Sequence, residues 1–197
     1  MEVTVSVAIL MIITGGLFTF SVMMGRTARA QESKIITADD TRQAMIYSIR
    51  ELRQAANASI NWGSLPASSV SYRIANDING NGVAVDANGR IELTGLRTIQ
   101  RDTEDLNNDG MTNAQAVLVN NNDIIVIANN LIEDEDLNAN NNLDPGEDRN
   151  ANGRLDRGLR FEQAGRGIRI TVQTESQSSP QDWLMMSELV EVVVPRN

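Results

Sequence analysis

The chain has 197 residues, 17 basic and 26 acidic, a net charge of −9 at neutral pH, and neither cysteine nor histidine. This composition removes disulfides, thiolate chemistry, the usual zinc sites and Ser-His-Asp triads. The acidic balance also argues against a nucleic-acid groove, which needs clustered Lys and Arg, so no nucleic acid is expected on the soluble part.

The first element is the apolar run from Met1 to Met24, MEVTVSVAILMIITGGLFTFSVMM, in which Glu2 is the one charge before Arg26. About 20 uncharged residues are what a helix rising 1.5 Å per residue needs to cross a bilayer core of about 30 Å. A secretory signal peptide opens on a basic region and has a shorter apolar stretch, whereas this run opens on an acid. A carboxylate at the edge of an apolar helix is costly unless a cation meets it. Two readings follow: a plain single-span anchor with Glu2 among the headgroups, or a Glu2 that gains a designated partner when helices pack. Gly15 and Gly16 interrupt the run, each costing about 1 kcal/mol relative to Ala. They suit either close helix–helix packing or a segment that unwinds locally.

Met1-Glu2-Val3 followed by Ser6, Val7, Ala8, Ile9 and Leu10 resembles the start of a mature type IV pilin or type II secretion pseudopilin. The resemblance implies a stalk helix that polymerises, with the early acid, Glu2, serving assembly. It also implies a methylated N-terminus left by prepilin peptidase. Members of that family carry a few more residues before the acid, so Met1 is expected to be an internal residue of the mature protein. They also melt near the position of Gly15 and Gly16, usually beside a proline that this chain lacks there.

Residues 26–57 continue as an amphipathic helix. Ile35, Ala38, Met45, Ile49, Leu52 and Ala56 recur at spacings of three, four and seven and so fall on one face, and the second half of the segment is expected to pack on the head. The segment Arg42 to Ala55, RQAMIYSIRELRQA, resembles the end of the stalk helix in J-type pseudopilins and PilW-like minor pilins. Asn57, Gly63 and Pro66 are expected to end the helix. Asn57-Ala58-Ser59 fits a glycosylation sequon, a short motif with many chance matches.

Beyond residue 58 the pattern is antiparallel β. Val70, Tyr72 and Ile74 alternate with polar neighbours, as do Ile91 and Leu93, and Ile168, Ile170 and Val172. Ala116–Val119 and Ile124–Ala128 flank Asn120-Asn121-Asn122-Asp123, a hairpin pattern, and a last strand is expected from about Trp183 to Val194. The fold class is therefore α+β: a stalk helix over 1–57 and a β-rich head over 58–197.

Between the strands lie runs dense in Asp and Asn. Oxygen ligands on alternate residues, with a residue tolerant of a tight turn, are what a Ca²⁺ loop needs. The clearest run carries Asp136, Asn138, Asn140, Asp144 and Glu147 at places one, three, five, nine and twelve, with Asn142 offering a backbone carbonyl at seven. A second follows at a twelve-residue step, with Asp148, Asn150, Asn152 and Asp156 as side-chain ligands and Arg154 as the carbonyl. Glu133, Asp134 and Glu135 precede the pair. A third run holds Asp105, Asn107, Asp109 and Asn113; a fourth holds Asp77, Asn79 and Asn81, with Asp86 nearby. These loops, over 133–156, 105–113 and 77–86, resemble the calcium loops of dockerins and thrombospondin type 3 repeats, and calcium is the expected cofactor. The competing reading is a polar, turn-rich linker.

Three functions fit these features. One is a structural subunit of a type IV pilus-like extracellular filament, held in the inner membrane with its head in the periplasm before assembly and partnered by copies of itself and the assembly machinery. Another is a minor pilin or pseudopilin of a secretion or uptake machine. The last is a membrane-tethered periplasmic calcium-binding module. No nucleophile–base pair or phosphate loop points to an enzyme.

Overall fold

A computed structural model describes residues 2–138, 140–176 and 185–196. Its first element is a single helix, α1, over Glu2–Gln54, 53 residues long, or about 80 Å at 1.5 Å per residue. The helix runs through Gly15 and Gly16 without a break. Three threonines in the upper half are satisfied within the helix. Thr14, Thr19 and Thr27 each donate to the carbonyl four residues back, at 2.8, 2.9 and 3.0 Å, so a hydroxyl can sit in an apolar surrounding without an orphaned donor.

Seven strands follow among the described residues. β1 (Ser69–Tyr72), β2 (Arg97–Arg101), β3 (Ala116–Asn120) and β4 (Asp123–Ala128) form an antiparallel sheet in chain order. β5 (Leu159–Ala164), β6 (Gly167–Ser176) and β7 (Met185–Val193) form a second antiparallel sheet. Backbone bonds between Ala67 and Phe161 join the two sheets at one edge, at 3.0 and 2.8 Å. An α+β architecture is thus present, a long N-terminal helix followed by antiparallel sheets.

The lower half of α1 packs on β6, β7 and β4. The core there combines Ala44, Met45 and Leu52 of the helix and Ala55 just past its end with Tyr72, Ile99, Leu159, Phe161, Ile168, Ile170 and Val172 of the sheets, all nearly inaccessible to water. In the second half the packed face is the one the apolar periodicity predicts, with Met45, Leu52 and Ala56 buried and Ile49 against the core, but further up it is not. Ile35 is 68 % exposed and Ala38 is exposed, while Ser33, Thr37, Thr41 and Ser48 are buried. Small hydroxyl residues at four-residue spacing let the helix approach β6 closely. Thr37 and Thr41 donate to the carbonyls of Ser33 and Thr37, both at 2.7 Å, and the Thr41 hydroxyl lies 2.6 Å from that of Thr174 on β6. The Thr174 hydroxyl in turn donates to the Thr37 carbonyl at 2.9 Å.

Two strands escaped the sequence pattern. β2, RTIQR, buries one apolar side chain, Ile99, together with the Arg101 guanidinium; β5, LRFEQA, buries Leu159 and Phe161. Conversely Ile91 and Leu93 make only isolated bridges, to Val85 and Ala75, because the intervening segment is taken up by a loop.

The end of α1 is fastened twice. Ala56 N–H donates to the Arg73 carbonyl (2.8 Å) and Asn57 N–H to that of Arg196 (2.8 Å), while Arg196 N–H donates to Ala55 O (3.1 Å). One turn earlier, Glu51 accepts the Tyr72 hydroxyl at 2.7 Å and the Arg97 guanidinium at 2.8 Å, tying the helix to β1 and β2. Burial pushes the fully buried Tyr72 phenol far above its ordinary range, and the Glu51 carboxylate it donates to adds to the shift. A raised pKa means that the stabilisation is complete below the unfolded value, about 10, and is lost as pH rises through the folded one. With Tyr47→Phe removing the other tyrosine, ultraviolet titration should show no tyrosinate until alkaline unfolding; ionisation near pH 10 in the folded protein would contradict the Tyr72–Glu51 link.

Candidate metal centre

The Asp- and Asn-rich segments contain no regular strand, so their backbone N–H groups need other partners. Side-chain oxygens supply them in one wiring, used four times. The first acid of each run accepts amides four and five residues on: Asp136 from Asn140 and Asn141 (2.9 and 3.1 Å), Asp148 from Asn152 and Gly153 (3.0 and 2.9 Å). Asp105 does so for Asp109 and Gly110, and Asp77 for Asn81 and Gly82. The third residue caps the fifth: Asn138 on Asn140, Asn150 on Asn152, Asn107 on Asp109, Asn79 on Asn81. The fifth caps the seventh: Asn140 on Asn142, Asn152 on Arg154, Asp109 on Met111, Asn81 on Val83. The sixth has positive φ in every case: Asn141 at 64°, Gly153 at 71°, Gly110 at 82°, Gly82 at 87°. A glycine or asparagine is needed there because other side chains strain in that region.

The ninth residue closes the first two runs. Asn138 and Asn140 both donate to Asp144 Oδ2, at 2.7 and 2.6 Å. Asn150 and Asn152 both donate to Asp156 Oδ2, at 2.9 and 2.6 Å. Places three, five and nine therefore converge on one point in each loop. Asn113, ninth in the third run, instead turns at φ 64° and offers its carbonyl to Arg101. Glu147, at place twelve, accepts the amides of Leu137 (3.2 Å) and Asp144 (2.9 Å). In the fourth run, Asp86 caps Asn88 and Arg90 outside the loop proper.

Several contributors carry no periodic signal. Glu135, 1 % exposed, accepts the amides of Arg149 (2.9 Å) and Asp156 (3.0 Å) and so draws together both ends of the second loop. Arg157 lies 2.7 Å from Asp136 Oδ2. Gln115 donates to Asp109 (2.8 Å) and accepts from Asn107 (3.1 Å), and Glu92 reaches across a hairpin to the Asn79 side chain and the Ile78 amide. Glu92 comes from the far side of that hairpin, whereas Glu135, Arg157 and Gln115 stand beside their loops in the chain.

Burial pushes the Asp136 carboxyl up, but the amides of Asn141 and Asn140 and the Arg157 guanidinium outweigh it and hold it below the ordinary carboxylate range. The Gln115 amide does the same for Asp109. Glu175 is pushed up by burial and by the negative Asp156 and Glu135.

The donor set is made of carboxylate, amide and backbone oxygens, which suit a hard cation such as Ca²⁺ and not a soft one. Among the described residues no three Asp or Glu side chains cluster as a carboxylate-only site. An ion here would therefore lean on asparagines and carbonyls, and low ligand charge places it at the weak end of calcium affinities. The residues fit the ion on those terms. Glu2 is the first residue of α1, far along the chain from these loops. Compared with protein-family models, curated proteins and solved structures, the chain matches none.

Removing Glu135 strips the buried Asp156 amide of its acceptor, at about 1–3 kcal/mol, and the part-buried Arg149 amide as well. Glu135→Ala is expected to expose 136–156 to limited proteolysis while the core melts cooperatively. Glu133→Ala, at a half-exposed position paired with Arg149, should leave the cleavage pattern unchanged.

Proposed function

We propose that the chain is a structural subunit of a type IV pilus-like extracellular filament, polymerising through α1, with a head whose loops are held by calcium. The observation that carries this reading is the division of one unbroken helix. Residues 10–28 are exposed along every face, Ile12 at 75 % and Phe18 at 72 %, while the lower half is packed into the head. The most apolar 18-residue window has a mean hydropathy of 2.2, long and apolar enough to cross a membrane by length and composition. A helix apolar all round needs either lipid or other helices. A continuous rod with a head fixed to its far end can exchange the first for the second without refolding the head.

Further support comes from the lower half. Ile46, Ile49, Val192 and Val194 line an open groove with Arg50, Arg53 and Arg196. Apolar side chains beside guanidinium groups suit packing of neighbouring heads around a helical core. Glu2, at the mouth of the apolar segment, would meet a neighbour's cationic group there, because an unpaired carboxylate in that setting is costly.

Assembly is tested by removing residues 1–25 or replacing Glu2. The truncated protein should be soluble and monomeric by light scattering. Glu2→Ala should insert in membrane yet form few filaments by electron microscopy. Filaments from the truncated protein, or normal assembly of Glu2→Ala, would refute the respective role.

For the head, Asp136, Asn138, Asn140, Asp144 and Glu147 would hold one ion, and Asp148, Asn150, Asn152 and Asp156 a second, with the carbonyls of Asn142 and Arg154. Asp105, Asn107, Asp109 and Asn113, and Asp77, Asn79 and Asn81, are the further candidates. The ion supplies positive charge to acidic loops and acts as a cross-link in a chain without cysteine. Binding adds RT ln(1 + [L]/Kd), about 2.7 kcal/mol per site at a hundredfold excess over Kd. Chelation should lower the melting temperature and direct protease first to 133–156, and Asp136→Ala with Asp148→Ala should mimic it. A calcium titration with no heat, no melting shift and no change in cleavage would reduce the loops to linkers.

A further inference from the structure

We infer that Arg101 is the positioning residue that joins the loop over 105–113 to the loop pair over 133–156, so that the order of each depends on the order of the other. The Arg101 side chain, on the last residue of β2, is 6 % exposed. Its Nη1 donates to the Asn113 carbonyl at 2.5 Å, and its Nη2 to the carbonyls of Ile132 and Arg157 at 2.7 and 2.8 Å. Those carbonyls are the exit of the first loop and the entry and exit of the second. One cation thus holds three necks.

The contact leaves no slack. Arg101 Nε already lacks a partner among the described residues. A loop that withdrew its carbonyl would leave a buried guanidinium still less satisfied, a cost the other loop then shares. Lysine cannot copy the arrangement, because three acceptors in divergent directions need the planar fork. Space for the fork is reserved by Gly158, at φ +63°, where a Cβ would overlap both the Ile132 carbonyl and Arg101 Nη2. The next residue, Asp102, is fully buried and accepts the Leu106 amide at 3.0 Å, so the β2 terminus also fixes the near end of the first loop.

If the cation reading holds, an ion bound in either loop raises the affinity of the other, because linkage is reciprocal. The test uses the full chain in detergent micelles, with amide exchange read at Asp109–Met111 in chelator and with calcium titrated alone. Glu135→Ala, which opens the second loop, should lower protection in the first at least tenfold when Arg101 is present. In an Arg101→Met background the same substitution should change it less than twofold, and Arg101→Lys should restore only part of the effect. Gly158→Ala supplies a second background should Arg101→Met fail to fold. Equal effects of Glu135→Ala with and without the Arg101 fork, or no effect in the parent, would overturn the link. Coupled exchange in chelator without calcium binding would sink the cation reading and sustain the Arg101 link; calcium binding by loops that exchange independently would do the reverse.

Discussion

Everything in this molecule depends on how the lower half of α1 reaches the sheets. A helix that must also be apolar on every side at its other end cannot rely on a broad greasy stripe to choose its docking face. The choice is made by small residues. Ser33, Thr37, Thr41, Ala44 and Ser48 form a narrow strip that lets the backbone come close to β6, and Thr41 meets Thr174 through a hydroxyl pair. Larger side chains, Met45 and Leu52, fill the wider space lower down. The Glu51–Tyr72–Arg97 contacts and the backbone bonds at residues 55–57 then fix the angle between rod and head.

The head answers a different constraint. About two thirds of its described residues lie outside strands, and loops of that length would leave many amides unpaired. Asp and Asn at alternate places solve this locally, each side chain capping an amide two to five residues on. The same oxygens that cap the backbone are those a hard cation would use. Structural capping and ion binding are thus compatible uses of one pattern, and only the charge balance separates them. Arg157 and Arg101 already bring positive charge to the loops, so an ion would add to an existing scaffold instead of creating one.

Much of this was legible in the chain. The apolar run announces its length and its lack of a polar face, and the alternation of Asp and Asn marks out the loops; from the sequence their oxygens are expected on an ion, and the structure shows them capping backbone amides at most five residues on. The β3–β4 hairpin was legible for the same reason: Asn121, at φ 54°, makes the turn its residue type favours. β2 and β5 were not, since RTIQR and LRFEQA hold one or two buried apolar side chains each and their strand character comes from their neighbours.

What the sequence by itself determined is what short-range physics governs: helix, hairpin, the position of the loops and the apolar rod. The tertiary structure alone decided that Ser33, Thr37 and Thr41, and not Ile35 or Ala38, continue the buried face of α1 upwards, because hydroxyl residues satisfied by their own helix can replace apolar ones where close approach matters more than area. It alone joined Arg101 to both loop regions and turned the flanking Glu135, Arg157 and Gln115 onto them, since buried polar groups must find partners wherever the fold supplies them, and no periodic spacing records those contacts.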